Sequence, residues 1–438
     1  MKKWLSILCT LCILVGCLTG CGQSTPAASQ AGVEAAGFSP SMDTSAELTL
    51  NVYGSWSNFE ALEAAAADWN EIYPGVLISY TRINDYNKEL DGLVSGPDKP
   101  DIVTFGTTSY YANKEHLASQ LEDLSGIGLD TSVFRSGVLS SAMYDGRMLA
   151  LNWGMQAAGF VVNEDLLASL GLEVPATHED FLAVCAALKQ AGYTPIQGCY
   201  INIYPNLLKN DRDARLAAEA DQDALYKKLD SVEPGCGKYF EPEFKAMFQL
   251  KAEGYFDHDL NMTIGDIYEA SIMHFFEGNT PFFCSNTELV TGMKKRESKS
   301  EAFTAHPFSY SFVSLPVESE TPALSQSTMV GLSIVRDAPN ADWAEEFLRF
   351  LCTEKELNKM ASVKGVPGLT TSAREDGRFA SLSSLPEENV FDADAYPVIN
   401  LIDRPFEDTV WRIATGEYTT LEEAETCFEE LMADYPRS

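Results

Sequence analysis

Basic residues are scarce in this chain of 438 residues: 31 lysines and arginines stand against 64 aspartates and glutamates, a formal net charge of −33. A surface this acidic repels the phosphates of nucleic acids and the headgroups of anionic lipids, so neither is expected as a main partner. The excess of acid is typical of the solvated surface of a soluble body. The alternative is a cationic ligand drawn to an acidic cleft.

Sequence motifs of common enzyme classes are absent as well. The chain contains no G-x-S-x-G elbow, no H-E-x-x-H motif and no P-loop. Its few histidines do not cluster, and His258, between Asp257 and Asp259, indicates a surface turn rather than a metal site. We therefore predict no catalytic residue, no metal and no cofactor. The enzyme alternative is a lipoprotein glycosidase, which would need two facing carboxylates about 5 to 9.5 Å apart.

The N-terminus has the pattern of a targeting segment. Lys2 and Lys3 precede an apolar stretch over residues 4–16, which is too short for a stable transmembrane span. The next block, LTGC, ends at Cys21 and resembles the bacterial lipoprotein cleavage box. The resemblance implies cleavage before Cys21, lipidation of its thiol, and a location on the outer face of the cytoplasmic membrane. An ordinary signal peptide with a chance cysteine is the alternative.

A segment poor in large apolar residues follows this box. Residues 22–46 are rich in Ala, Ser, Gly, Gln and Thr and show no hydrophobic period. We predict residues 1–20 as the signal peptide and residues 21–46 as the lipidated cysteine with a flexible tether. More than one acyl chain on that cysteine would anchor the protein stably, so the lipid is the expected contact with the membrane.

The cysteines that remain after the tether match no zinc-binding spacing. They are Cys185, Cys199, Cys236, Cys284, Cys352 and Cys427. Export permits disulfides, and the sequence alone does not choose among their pairings. Three of the cysteines, at 185, 284 and 352, lie in apolar periodic runs, which favours buried free thiols.

Strands and helices alternate at the start of the body. Apolar strands are predicted at residues 48–53, 76–81 and 101–105, with a helix opening at Ser57 and another at 84–94. This order predicts a parallel sheet with helices on its faces. Ligands of such sheets bind beyond the carboxyl ends of the strands. The loops at those ends carry Trp56, Asn58, Thr107, Thr108 and Tyr110.

The stretch DGRMLALNWGMQAAGFVVNEDLL organises the rest of the chain. Two apolar strands, at 148–151 and 157–162, flank a polar and aromatic interruption. The interruption predicts a crossover from one sheet to another, with Trp153 and Gln156 facing the gap. A single interrupted strand in one sheet is the alternative. Asn163 is predicted to cap the helix that follows.

Later elements supply further strand-end loops. Residues 193–204 are predicted as strand and loop and end at Tyr204. A buried strand at 281–284 opens onto a polar loop that holds Asn286 and Glu288. These side chains are candidates for the second wall of a cleft.

Helix faces account for the remaining large aromatic residues. A helix at 406–414 begins with Phe406, and a Thr420 cap opens the last helix. The tryptophans on helix faces, which are Trp69, Trp343 and Trp411, are assigned to the core.

Several blocks of the sequence occur together in one known order. They include DWNEIYPGVLISY, PDIVTF, the stretch ending in NEDLL, FFEGNTPFFCSN, VGLSIVRDAPNADWAEEFLRFL and GVPGLT. Over residues 47–435 the chain resembles the extracellular solute-binding proteins of the family that includes maltose-binding protein, the receptors of ABC importers. The resemblance implies an α/β, type II periplasmic-binding-protein-like fold, in which two lobes, each a central sheet flanked by helices, enclose a hinged cleft.

The implied lobes are discontinuous in sequence. The N-terminal lobe would comprise residues 47–153 and 325–367, and the C-terminal lobe residues 154–324 and 368–438. The chain would cross between the lobes near residues 152–156, 316–329 and 365–370.

The same resemblance implies that the protein captures a small solute, usually a mono- or oligosaccharide, and delivers it to a membrane permease as a monomer. A saccharide offers hydroxyl groups and flat C–H faces, so its cleft needs aromatic rings together with amides and carboxylates. The residues predicted to contact the ligand are Trp56, Asn58, Thr107, Tyr110, Trp153, Gln156, Tyr204, Asn286, Glu288 and Phe406. Gln156 stands where related proteins often carry an acidic contact. The alternatives are a polyamine, peptide or metal-chelate ligand, and a sensor subunit.

Overall fold

The part of the chain that the computed structural model describes comprises residues 37–56, 59–106, 117–135, 137–264, 268–374 and 377–435. The predicted signal peptide, Cys21 and most of the predicted tether lie outside these ranges. Within the ranges, no helix has both the length and the apolar composition that crossing a bilayer requires.

A mixed β-sheet runs through the body. Its strands are β1 Leu48–Gly54, β2 Val76–Arg82, β3 Ile102–Gly106, β6 Leu151–Asn163, β7 Ile196–Gln197, β8 Phe282–Asn286, β9 Tyr310–Val313, β10 Leu324–Ile334 and β11 Val390–Asp392, while β4 Met143–Tyr144 and β5 Arg147–Met148 form a separate hairpin. The strand order is β2-β1-β3-β10-β6-β8-β7, with β11 beside β10 and β9 beside β6. As the alternating pattern predicts, β1 pairs in parallel with β2 and β3. The late strand β10 lies between β3 and β6, runs antiparallel to both, and so connects the two halves of the sheet.

Helices cover the sheet. They are α1 Glu60–Ile72, α2 Tyr86–Ser95, α3 Glu164–Ser169, α4 His178–Gln190, α5 Tyr200–Asn206, α6 Lys209–Ala217, α7 Gln222–Asp230, α8 Glu241–Ala252, α9 His258–Ile264, α10 Tyr268–Phe275, α11 Thr287–Arg296, α12 Glu301–Ala305, α13 Ala341–Leu351, α14 Glu354–Lys364, α15 Pro397–Thr415 and α16 Leu421–Asp434. The caps predicted at Asn163 and Thr420 are confirmed, since each side chain accepts a hydrogen bond from a backbone N–H of the first turn. Thr177 and Thr353 cap α4 and α14 in the same way. The helix predicted to open at Ser57 begins instead at Glu60 and has no side-chain cap among the described residues.

The predicted interruption between two strands is wrong, because a single strand, β6, occupies this stretch. Strand β6 is continuous over Leu151–Asn163, because Asn152 and Trp153 are buried in extended conformation within the strand. The Asn152 amide donates to the carbonyl of Val138 at 2.9 Å and so satisfies its buried polar group. The first half of β6 pairs with β10 and the second half with β8 and β9. The strand itself is therefore the crossing.

The buried apolar residues form separate cores on either side of this crossing. One cluster takes its residues from 38–155 and 329–369. Two further clusters take theirs from 157–324 and 379–432. We call the elements around the first cluster the first lobe and those around the other two the second lobe. The exact lobe boundaries given above stay a prediction.

Residues 37–46 differ from the predicted flexible tether, because they pack on the first lobe. Phe38 is buried and lies edge-to-face against Phe350, with ring centres 5.5 Å apart. The Ser41 amide and hydroxyl both donate to the buried carboxylate of Glu346, at 2.7 and 2.6 Å. The Tyr73 hydroxyl donates to the same carboxylate at 2.5 Å. The packed body thus begins by residue 37, earlier than composition indicates.

Two helix predictions near the C-terminus are wrong. Helix α15 begins at Pro397 instead of Phe406 and continues through Pro405. Proline is favourable at the first turn, and the buried face of the helix outweighs the interior proline. Trp411 is 39% exposed, because Val410 and Ile413 occupy the buried side of α15. Trp69, by contrast, is fully buried as predicted.

The segment predicted as strand and loop over residues 193–204 also differs. Only Ile196–Gln197 is strand, and helix α5 begins at Tyr200. The isolated apolar residues of this short segment fit either period, which is the usual ambiguity of short apolar runs.

The six cysteines of the body are free and buried. Burial raises the pKa of the Cys236 thiol to about 11 and that of Cys352 to about 12, so the reactive thiolate is disfavoured. In a chain that begins at residue 37, we expect no thiol to react with Ellman's reagent under native conditions and all six to react in guanidinium chloride. Fewer than six reactive thiols after unfolding without reductant would reveal a disulfide.

Candidate functional site

A cleft between the lobes holds two adjoining cavities. Cavity A has a volume of about 580 Å³ and cavity B about 450 Å³. Cavity A is lined from the first lobe by Trp56, Phe59, Glu60, Ala61 and Lys364, and from the second by Ile201, Asn202, Tyr268, Asn286, Glu288, Leu289, Thr291, Lys295 and Arg296. Ile201, Asn202 and Asn286 also line cavity B, so the two cavities form one cleft.

Trp56 forms the aromatic wall of cavity A. It follows the end of β1, where Gly54 is required because a Cβ there would lie 2.2 Å from the Thr104 hydroxyl. The Tyr80 hydroxyl donates to the Trp56 carbonyl at 3.1 Å and fixes the loop. The ammonium of Lys364 lies 4.3 Å from the centre of the indole ring. The predicted position of Trp56 at the cleft is therefore what the structure shows.

Trp153 does not face the gap as predicted. Its side chain is fully buried behind Trp56, and the two ring centres are 5.8 Å apart in an edge-to-face arrangement. Phe59 packs beside it, with ring centres 5.6 Å apart. The Trp153 indole N–H has no acceptor among the described residues. Trp153 supports Trp56 from below and lines neither cavity.

The opposite wall of cavity A is built where β8 ends. Asn286 caps α11, its side-chain oxygen accepting from the Glu288 N–H at 3.0 Å. This hydrogen bond places the exposed Glu288 side chain at the cavity. The Tyr268 hydroxyl donates to the Glu288 carbonyl at 2.7 Å and holds the same turn. Both predicted residues, Asn286 and Glu288, thus come together on one wall.

Charges in cavity A are nearly balanced in spite of the acidic surface. Three cations, Lys295, Arg296 and Lys364, and two carboxylates, Glu60 and Glu288, line it. Lys295 pairs with Glu60 across the lobes at 2.5 Å. Burial lowers the pKa of the Lys364 ammonium. A cavity with this lining does not attract a polycation, which weighs against the acidic-cleft alternative.

Cavity B contains three more of the predicted residues. The Gln156 amide donates to the Ser327 hydroxyl at 3.3 Å and remains partly exposed. Tyr204 is buried, and its hydroxyl lies 2.6 Å from Nδ1 of His258. Phe406 is buried as well, with the Arg212 guanidinium 4.8 Å from its ring centre. These two rings form the floor of the cavity and are not open platforms for stacking.

His258 also differs from its predicted place in a surface turn. It begins helix α9 and is partly buried against Tyr204. Among the described residues, no group of three or more His, Cys, Asp or Glu side chains is arranged to hold a metal ion.

Comparison with known proteins identifies the chain. The family described as bacterial extracellular solute-binding protein matches residues 64–387. The chain belongs to this family. The predicted resemblance is thereby confirmed, while no curated protein matches the chain.

Solved structures show the fold of this solute-binding protein. The binding protein RafE in complex with raffinose is 16% identical, with a TM-score of 0.65, and the match covers 88% of this chain and 100% of RafE. MalE from Xanthomonas citri is 16% identical, with a TM-score of 0.67 and coverages of 88% and 98%. A sugar transporter from Bacillus licheniformis in complex with stachyose is 15% identical, with a TM-score of 0.59 and coverages of 87% and 98%. The predicted two-lobe, type II α/β fold is confirmed.

The solute-binding protein also has a charged network beside cavity B that the sequence does not reveal. Arg212 is buried, its Nε donates to Asp213 at 2.7 Å, and its guanidinium pairs with Asp403. Lys209 joins the same two carboxylates at 3.0 and 3.3 Å. These cations hold the pKa of Asp403 below its usual value against the effect of burial, so Asp403 keeps its charge at the cavity. In the sequence, the run KNDRDARLA is typical of a solvated helix face.

Three of the residues predicted to contact the ligand have no described position, and for the others the structure gives a position and the contact stays a prediction. Asn58, Thr107 and Tyr110 lie outside the described residues. Both loops that hold them follow strands of the first lobe.

Proposed function

We propose that this solute-binding protein captures a carbohydrate in the interlobe cleft and delivers it to the permease of an ABC importer. The observation that carries the proposal is cavity A, in which both lobes contribute polar side chains and the first lobe an indole ring. Cavities of about 580 and 450 Å³ fall within the size range of small-molecule sites. The raffinose and stachyose complexes of similar structures favour the same ligand class.

The proposed delivery depends on closure of the lobes. A ligand that contacts both lobes binds the closed form more tightly, and this difference in affinity shifts the equilibrium towards closure. We propose the crossings near residues 152–156, 316–329 and 365–370 as hinges. The amide of Met155 in β6 donates to the Pro367 carbonyl at 3.2 Å, so two of these crossings lie side by side. The permease would recognise the closed form.

Thermal unfolding tests the ligand class. The midpoint of the chain from residue 37 onward should rise with one class of mono- or oligosaccharide and with no amino acid or polyamine. A ligand at 100 times its Kd stabilises the folded state by about 2.7 kcal/mol. The saccharide should be recovered unchanged, because the proposal includes no hydrolysis. A rise with a polyamine alone would overturn the carbohydrate assignment, and cleavage of the saccharide would favour the glycosidase alternative.

We also propose that Cys21 carries the lipid anchor on the outer face of the cytoplasmic membrane. The support is the LTGC block after a short apolar segment. The protein should partition into the detergent phase of a Triton X-114 separation, and Cys21→Ser should move it to the aqueous phase. Partition that does not change with Cys21→Ser would contradict the anchor.

A further inference from the structure

Two oppositely charged side chains approach cavity A from different lobes. Lys364 is the last residue of α14 in the first lobe, and Glu288 lies in the first turn of α11 in the second. Among the described residues, neither the ammonium nor the carboxylate has a hydrogen-bond or ion-pair partner. The ammonium and the carboxylate do not approach within 4.0 Å, so they form no ion pair with each other.

The surroundings of these two residues differ from those of the other charges in the cavity. Lys295 and Glu60 already neutralise each other at 2.5 Å. The Arg296 guanidinium lies 3.8 Å from the Glu269 carboxylate and also over the Tyr268 ring, 5.1 Å from its centre. Lys364, by contrast, is partly buried without an anionic partner, and burial lowers its pKa. A partly buried ammonium whose contact is a ring face is less stabilised than one in an ion pair, which points to a binding role.

We propose that Lys364 and Glu288 form an interlobe clamp closed by the solute, in which neighbouring hydroxyl groups of the saccharide accept from the ammonium and donate to the carboxylate. The inference rests on the proposed function and adds Lys364 as a specificity-determining residue. A hydroxyl group is both donor and acceptor, so a diol satisfies both charges without carrying one. Hydrogen bonds to charged groups are about twice as strong as neutral ones.

The clamp also connects recognition to closure. Its two members belong to different lobes, so a solute that bridges them has an additional interaction only when the lobes are together. The Lys364 ammonium lies 4.3 Å from the centre of the Trp56 ring. The same saccharide unit can therefore place a hydroxyl on the ammonium and a C–H face near the indole.

Titration calorimetry on the full-length lipoprotein in detergent tests the clamp. The probes are raffinose, stachyose, maltotriose and xylotriose. Lys364→Met and Glu288→Gln should each weaken binding of the bound saccharide about 10- to 100-fold. The double variant should bind about as weakly as either single variant, because a clamp with one member missing has already lost the bridge. Lys294→Met is the control, since Lys294 pairs with Glu297 and lines neither cavity.

A variant with the two charges exchanged gives a further test of the bridge formed by hydroxyl groups. With Lys364→Glu and Glu288→Lys combined, a neutral saccharide should regain affinity over the single variants, because a diol serves either orientation.

Three results would overturn the clamp: unchanged binding by Lys364→Met, full additivity of the two single losses, or no recovery on charge exchange. If the wild type binds none of the four saccharides, the carbohydrate proposal itself fails. That result can be told apart from failure of the clamp, because it is observed with the wild type alone.

Discussion

Trp56→Ala should lower the affinity for the bound saccharide by about 30-fold or more, the loss typical of a tryptophan that anchors a binding site. Among the described residues of the first lobe, the indole is the aromatic side chain that reaches cavity A while remaining partly exposed. It stands on the fully buried Trp153 and Phe59, so little conformational entropy is lost when a sugar packs on it. Trp56→Phe should retain part of the affinity, because a smaller ring still offers a flat face.

Trp343→Ala is the matched control for this prediction. Trp343 belongs to the same lobe and packs edge-to-face on Tyr73, with ring centres 5.2 Å apart, but it lines neither cavity. Its replacement should lower the unfolding midpoint without changing the Kd measured by calorimetry. Equal Kd values for Trp56→Ala and the wild type would remove Trp56 from the binding site.

The sequence predicts those features that depend on neighbours along the chain. Trp56, Asn286 and Glu288 follow the ends of strands, and the rule that ligands bind beyond strand ends places them correctly at the cleft. The cap at Asn163 is likewise local, since its side chain bonds three residues ahead. To predict such features, one needs to recognise only the hydrophobic period of the strand or helix and the residue that caps it.

Features that depend on tertiary contacts were missed. Lys364 reaches cavity A because α14 packs on α1, and helix ends that carry lysine are common for reasons unrelated to ligands. The buried Arg212 meets Asp403 and the ring of Phe406, both far along the chain. Trp153 was expected in the gap, and the structure buries it because Trp56 covers it. In each case the deciding partner is distant in sequence.

A buried pair of carboxylates lies where β11 ends beside β10. Asp392 is 6% exposed, and one of its oxygens accepts from the Asp394 N–H at 3.0 Å. Its other oxygen has no partner among the described residues. The Asp394 carboxylate accepts from the Thr328 N–H at 2.8 Å. Burial, and next the charge of Asp394, raise the pKa of Asp392 to about 8.

The raised pKa makes the stability of the protein depend on pH. The native state keeps the proton of Asp392 up to about pH 8, whereas the unfolded chain loses it near pH 4. The contribution of this group is therefore fully present below about pH 4 and is lost as pH rises towards 8. Within this window the native state binds the additional proton, so the free energy of unfolding falls by about 1.4 kcal/mol per pH unit from this group.

Asp392→Asn should remove this dependence. The amide is neutral at every pH and keeps an oxygen for the Asp394 N–H, so the variant should match the wild type near pH 4 and exceed its stability increasingly up to pH 8. Urea unfolding at pH 5, 6.5 and 8 measures the difference. Asp98→Asn is the control, because Asp98 is exposed and makes no side-chain hydrogen bond to the described residues. A constant difference between Asp392→Asn and wild type across this range would show that Asp392 is already ionised in the folded protein, and the unpartnered oxygen would then have to be satisfied by water.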